Sequence, residues 1–159
     1  MYMTHREMMH ECYNFYDGIQ HTEEEEKTLK ARNQPVVTVN KIKPFIDNLI
    51  GNEIQTRFRV AFKARTNNPT TTRKADGLTH LAYYIQEKND ISYKQTLKFK
   101  DCLITGLGWS QLEKVGSKYI YEWVHPTEMV FDPEDLTPQF NNSAFVCRVK
   151  WLKIADALE

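Results

Sequence analysis

The chain has no surplus of charge: Lys plus Arg and Asp plus Glu number 21 each in 159 residues. No global field therefore draws it onto nucleic acid or an anionic bilayer, which argues against a free-standing DNA-binding domain. Long apolar runs are missing as well, so no membrane span is predicted, and the N-terminus lacks the charged-then-apolar pattern of a signal peptide. Cysteine is scarce. Cys12, Cys102 and Cys147 are odd in number and contain no Cys-x-x-Cys pair, which excludes a disulfide framework and predicts free, buried thiols in a reducing cytoplasm. His5, His10, Cys12 and His21 are not spaced to share one helical face, so they make no zinc site. A Gly-x-Ser-x-Gly elbow and a phosphate loop are both absent.

What is present reads as one α+β domain over residues 1–159, with helices first and a mostly antiparallel sheet second. Apolar spacing near the helical period predicts helices over 3–16, 22–31, 41–56, 73–89 and 90–105. Thr22 is the expected cap of the second, whose first turn holds four glutamates that complement the helix dipole. Pro35 keeps "NQPVVTVN" extended, and Asn40 caps the long helix, whose stripe is Ile42, Phe45, Ile46, Leu49, Ile50 and Ile54, with Gly51 inside it. Leu78, Leu81, Ala82 and Ile85 mark the inner stripe of the fourth helix, and the fifth is capped near Asn89 or Asp90. "RFRVAFKAR" switches to period two, predicting a strand over 57–64 with Phe58, Val60 and Phe62 inward and a basic outer face. "TNNPTTT" reads as a loop. Gly106, Gly108 and Trp109 form a helix-to-hairpin joint, and further strands fall within 108–151, beginning with a hairpin turning at Gly116-Ser117. The closing "VKWLKIADALE" starts a helical pattern without a C-terminal cap, as expected of a piece cut from a longer chain, and Leu158-Glu159 resembles a vector scar.

Two groups invite a functional reading. Asp132, Glu134 and Asp135, with His125 nearby, could hold a hard cation and act as acid and base in a metal-dependent nuclease. Such a core wants a second carboxylate on the following strand, where Arg148 stands instead, so Asp132-Pro133 reads as a turn whose side chain bonds the local backbone. The basic row Arg57, Arg59, Lys63 and Arg65 could meet DNA phosphates or a neighbouring subunit. A third reading makes helix 41–56 the partner surface of a generic interaction module.

In this order of elements, "FYDGIQHTEEEEKTLKARNQPVVTVNKIKPFIDNLIGNE", "FKDCLITGLGWSQLE", "WVHPTEMVFDPE" and "FVCRVKW" resemble the N-terminal part of phage portal proteins. These are the head-to-tail connectors of tailed double-stranded DNA phages, and the likeness is to the short-tailed type. It runs from about residue 14 to 153, with His21 standing where many portals have tryptophan. The resemblance implies a wing region without stem or clip, no enzymatic activity and no cofactor. It implies a homo-oligomeric ring, usually twelve-fold, at a capsid vertex of a phage or prophage particle. Its partners would be terminase, capsid and scaffolding proteins, tail adaptors and non-specific double-stranded DNA in the channel, with no membrane. Location would be the virion, and the host cytoplasm before assembly. Carried-over positions are structural: Pro35, Asn40, Gly51, Gly106, Gly108, Trp109, Asp132 and Pro133.

Overall fold

The computed structural model describes residues 5–66, 68–132, 134, 135, 137, 140–151 and 153. Five helices come first: α1 (His5–Asp17), α2 (Glu23–Ala31), α3 (Ile42–Gln55), α4 (Pro69–Lys88) and α5 (Ile91–Thr105). Strands β1 (Trp109–Val115) and β2 (Lys118–Val124), a short 3-10 turn, and strands β3 (Met129–Phe131) and β4 (Val146–Arg148) follow. The class is α+β, as expected.

Capping fixes where the helices begin. Thr22 accepts from the Glu25 N–H at 3.3 Å while the Glu25 carboxylate accepts from the Thr22 N–H at 2.8 Å, a reciprocal capping box. Asn40 Oδ1 takes the N–H groups of Ile42 and Lys43, both at 3.1 Å, and its amide donates to the Tyr16 carbonyl at 2.8 Å. One side chain thus starts α3 and ties it to the end of α1. Helix α4 begins at Pro69, earlier than the expected 73, and absorbs most of the stretch read as loop. Asn68 accepts from the Thr70 N–H, the Thr71 and Thr72 hydroxyls bond the Asn68 carbonyl, and Pro69 at the first helical position has no N–H to satisfy. Neither candidate cap of α5 acts as one: Asp90 sits in the left-handed region at φ 49° without a side-chain bond to the helix.

The predicted strand 57–64 does not form. Those residues run without helix, turn or bend but join no ladder, and Phe58, expected inside, is 97% exposed. The alternation in its sequence confers the capacity to pair, and among the described residues no strand lies beside it. The expected single sheet is likewise two separate antiparallel pairs, β1 with β2 through a two-residue turn at Gly116-Ser117, and β3 with β4.

Helix α5 is central, packing against α1, α3, α4 and β2. Around it the buried apolar side chains are Met9, Tyr16, Ile46, Ala75, Val124, Phe131 and Pro126. In the α3 stripe only Ile46 is buried; Leu49 and Ile50 are partly covered, while Ile42, Phe45 and Ile54 face outward. The buried side of α4 runs through Ala75, Thr79, Ala82 and Gln86, so Leu78 and Leu81 of the predicted stripe lie half exposed. The thiols are free, but Cys102 and Cys147 are exposed where burial was expected. Among the described residues no helix is long and apolar enough to cross a membrane.

The joint between α5 and β1 depends on glycine. Gly106 ends α5 in the left-handed region at φ 82°, its N–H reaching the Cys102 carbonyl at 2.9 Å. At Gly108 the helix passes so close that a Cβ would sit 2.5 Å from the Lys98 carbonyl oxygen. At Gly51, within α3, a Cβ would meet nothing within 4 Å. Opposite outcomes follow. Gly108→Ala lowers unfolding free energy by about 1–3 kcal/mol through overpacking. Gly51→Ala raises it by roughly 0.5–1 kcal/mol through reduced chain entropy in a helix interior. Urea unfolding of the two variants beside the parent checks both signs.

Candidate functional site

A buried polar arrangement joins the helical layer to the first hairpin. Asp101, on α5, is 4% exposed. Its Oδ1 accepts from the Tyr13 hydroxyl of α1 and its Oδ2 from the Trp123 indole N–H of β2, each at 2.7 Å. His125 stacks on Tyr13 with ring centroids 5.0 Å apart and meets Trp123 edge-on at 5.7 Å. Burial pushes the Asp101 carboxyl above the usual carboxylate range, outweighing the two hydrogen bonds and nearby positive charge that favour the ion. Burial and the adjacent carboxylate drive the Tyr13 phenol up too, so it stays a donor. A second tyrosine link ties α1 to α3: the buried Tyr16 hydroxyl donates to Asp47 at 2.7 Å, and burial first, then that bond, raises its phenol to about 12. Lys43 and Lys100 ammonium groups lie 5.3 and 4.7 Å from the Tyr16 ring centroid.

The acidic loop does not assemble as a metal centre. Asp132 takes the N–H groups of Glu134 at 3.0 Å and Ala144 at 3.2 Å, one on each carboxylate oxygen. Asp135 accepts from the N–H and hydroxyl of Thr137, the Asn142 N–H and the Ser143 hydroxyl, and these bonds hold its carboxyl below the usual range. With their lone pairs turned to local donors, the two carboxylates shape a loop. Glu134 is exposed, and Pro133 lies outside the described residues. His125 bonds Thr127, whose N–H reaches Nδ1 at 3.3 Å, and its ring contacts go to Tyr13 and Trp123 rather than to the loop. Among the described residues no group of three or more His, Cys, Asp or Glu side chains could hold a metal ion. The nuclease alternative finds no support in this geometry.

The basic row is divided in the same way. Arg57 is held at the end of α3, with Nε 3.2 Å from Glu53 and a further bond to the Thr96 hydroxyl of α5. Arg59, Lys63 and Arg65 are exposed along the extended segment. Arg148, which stands where a nuclease would need a carboxylate, joins the two sheets. It reaches Glu128 at 3.0 Å, Glu122 at 2.7 Å and the Gln111 amide oxygen at 2.9 Å. The hydrogen bond from Arg148 lowers the Glu122 carboxyl, and the pairing raises the guanidinium in turn.

Sequence reasoning missed Asp101, Tyr13, Trp123 and Arg148 as organising residues. The local signal is an aspartate set among Leu97, Phe99, Leu103 and Ile104 near the end of α5.

Because folding raises the Asp101 pKa, the native state binds a proton that the unfolded chain, with an ordinary value of about 3.9, has released. Between the two values this group's contribution to stability falls as pH rises. Asp101→Asn removes that dependence and leaves one of the two donors facing an amide that cannot accept from it. The parent's advantage over the variant is therefore greatest near pH 4 and shrinks as pH rises through the raised native value. Urea unfolding of both proteins from pH 4 to 7 measures this, and an advantage that grows with pH contradicts it.

Comparison with known proteins places these features. No curated protein matches the chain. The family model described as Phage P22-like portal protein matches residues 2–159, nearly the whole sequence. That family is structural rather than enzymatic. This chain belongs to the P22-like phage portal protein family.

Proposed function

We propose that the chain is the wing region of a longer portal subunit, without its stem and clip. Copies of that subunit close into a ring, usually twelve-fold in portals, at one vertex of the capsid. DNA passes through the channel on packaging and on ejection, and the ring connects head to tail. Its partners are then other copies of itself, the terminase that drives packaging, capsid and scaffolding proteins and tail adaptors. The protein is part of the virion and resides in the host cytoplasm before assembly. It performs no catalysis.

The observation that carries this reading is the family match over residues 2–159. The absence of net charge is consistent with it. A strongly basic subunit would bind each phosphate by counterion release and so resist the sliding of DNA past it.

The test is the mass of the particle formed by the complete gene product, by native mass spectrometry. A closed ring, with a mass that is a multiple of one subunit near twelve, is expected. A species that stays monomeric or dimeric across concentrations overturns the reading.

A further inference from the structure

Two segments have the sequence of strands and run without helix, turn or bend, yet pair with nothing among the described residues. The first is Val36–Val39, four residues of which three are valine and one threonine, all favourable in strands. Val37 and Val39 are 66% and 69% exposed while Val36 and Thr38 are partly covered, the alternation of a strand with one face against the protein. The second is Phe58–Lys63, with Phe58, Val60 and Phe62 all exposed. Hydrogen bonds hold it near each end. Arg57 anchors it to Glu53 and Thr96, and Phe62 lies against α4, its N–H donating to the Thr79 hydroxyl at 3.0 Å. Because N–H and C=O groups alternate in direction along a strand, that bond turns those of Phe58, Val60 and Phe62 toward α4. The backbone groups of Arg59, Ala61 and Lys63 point the other way, as an open edge.

The two segments flank α3, at opposite ends of a 14-residue helix that spans about 21 Å. An open edge at each end of one rigid element is the layout of a head-to-tail contact, which closes into a ring when the rotation between copies permits. Charge fits as well. Residues 36–39 carry no ionisable side chain, so Arg59 and Lys63 would meet no like charge across the ladder, whereas pairing Phe58–Lys63 with itself would bring the basic residues together.

The exposed area is large for the mass of the chain. The chain exposes 13030 Å², where a folded monomer of its mass exposes roughly 8,300 Å². Even if every residue outside the described ones is given its bare-chain value, roughly 2,000 Å² of excess remains. A standard interface covers about 800 Å² on each partner. The excess is of the size that two such interfaces per copy would cover.

We infer that Phe58–Lys63 of one copy pairs, strand to strand, with Val36–Val39 of the neighbouring copy, so that the intersubunit contact of the ring is in part a β-ladder built by augmentation. This rests on the ring reading above and names the surface that makes it.

Backbone hydrogen exchange on the complete portal subunit, before and after assembly, tests the pairing. Assembly should slow the amides of Val37, Val39, Arg59, Ala61 and Lys63 by about tenfold or more. Single variants Val37→Cys and Val60→Cys, made in a Cys102→Ser, Cys147→Ser background and mixed, should then yield a disulfide-linked dimer that neither variant forms alone. A ring in which both segments exchange as fast as before overturns the pairing and leaves the ring reading standing. Protection already present in the monomer also overturns it, since the ladder would then lie within one chain. Failure to form any particle larger than a monomer overturns both.

Discussion

One buried carboxylate holds the two halves of this protein in register. Asp101 leaves water to accept one hydrogen bond from α1 and one from β2 while riding on α5, the helix against which α1, α3, α4 and β2 pack. A carboxyl group that is 4% exposed is costly to leave without hydrogen-bond partners, so the position is stable only while both donors stay aimed at it. The requirement is directional: the hairpin cannot shift along α5 without leaving an oxygen unpaired. Arg148 performs a related task one layer out, gripping Glu122 of the first sheet and Glu128 beside the second.

Polar joints matter here because apolar burial is limited. Ile46 is the only fully buried member of a six-residue stripe on α3, and the faces of α4 and of the extended segments are left open in a single copy. A subunit of a larger assembly has no need to bury these alone, and a portal family member is such a subunit. The features that first invited an enzymatic reading serve shape instead: the acidic loop binds its own backbone, and the histidine near it is packed between aromatic rings.

Local order was legible in the sequence wherever the cause was local. Period, caps and glycines placed α1, α2, α3 and α5 to within a residue or two where they are described, along with the β1–β2 turn, and Thr22 and Asn40 act at the helix starts where the sequence put them. Helix α4 starts four residues before the predicted 73, because the chemistry of Asn68-Pro69 serves a loop and a helix start equally well. The strand at 57–64 failed for another reason: period two states which faces a segment would present, and says nothing of whether a partner lies beside it. The stripes on α3 and α4 overstate burial for the same reason. Asp101 and Arg148 were illegible because their partners lie 20 to 88 positions away in sequence, and spacing rules reach only a few turns.

The central claim is that this fold is completed by its neighbours. Its most direct test is the thermal unfolding midpoint of the complete subunit over a wide range of protein concentration. Assembly that binds the native state and not the unfolded chain must raise the midpoint as concentration rises, and this account predicts such a rise. A midpoint that is the same at every concentration, with unfolding reversible throughout, would contradict it.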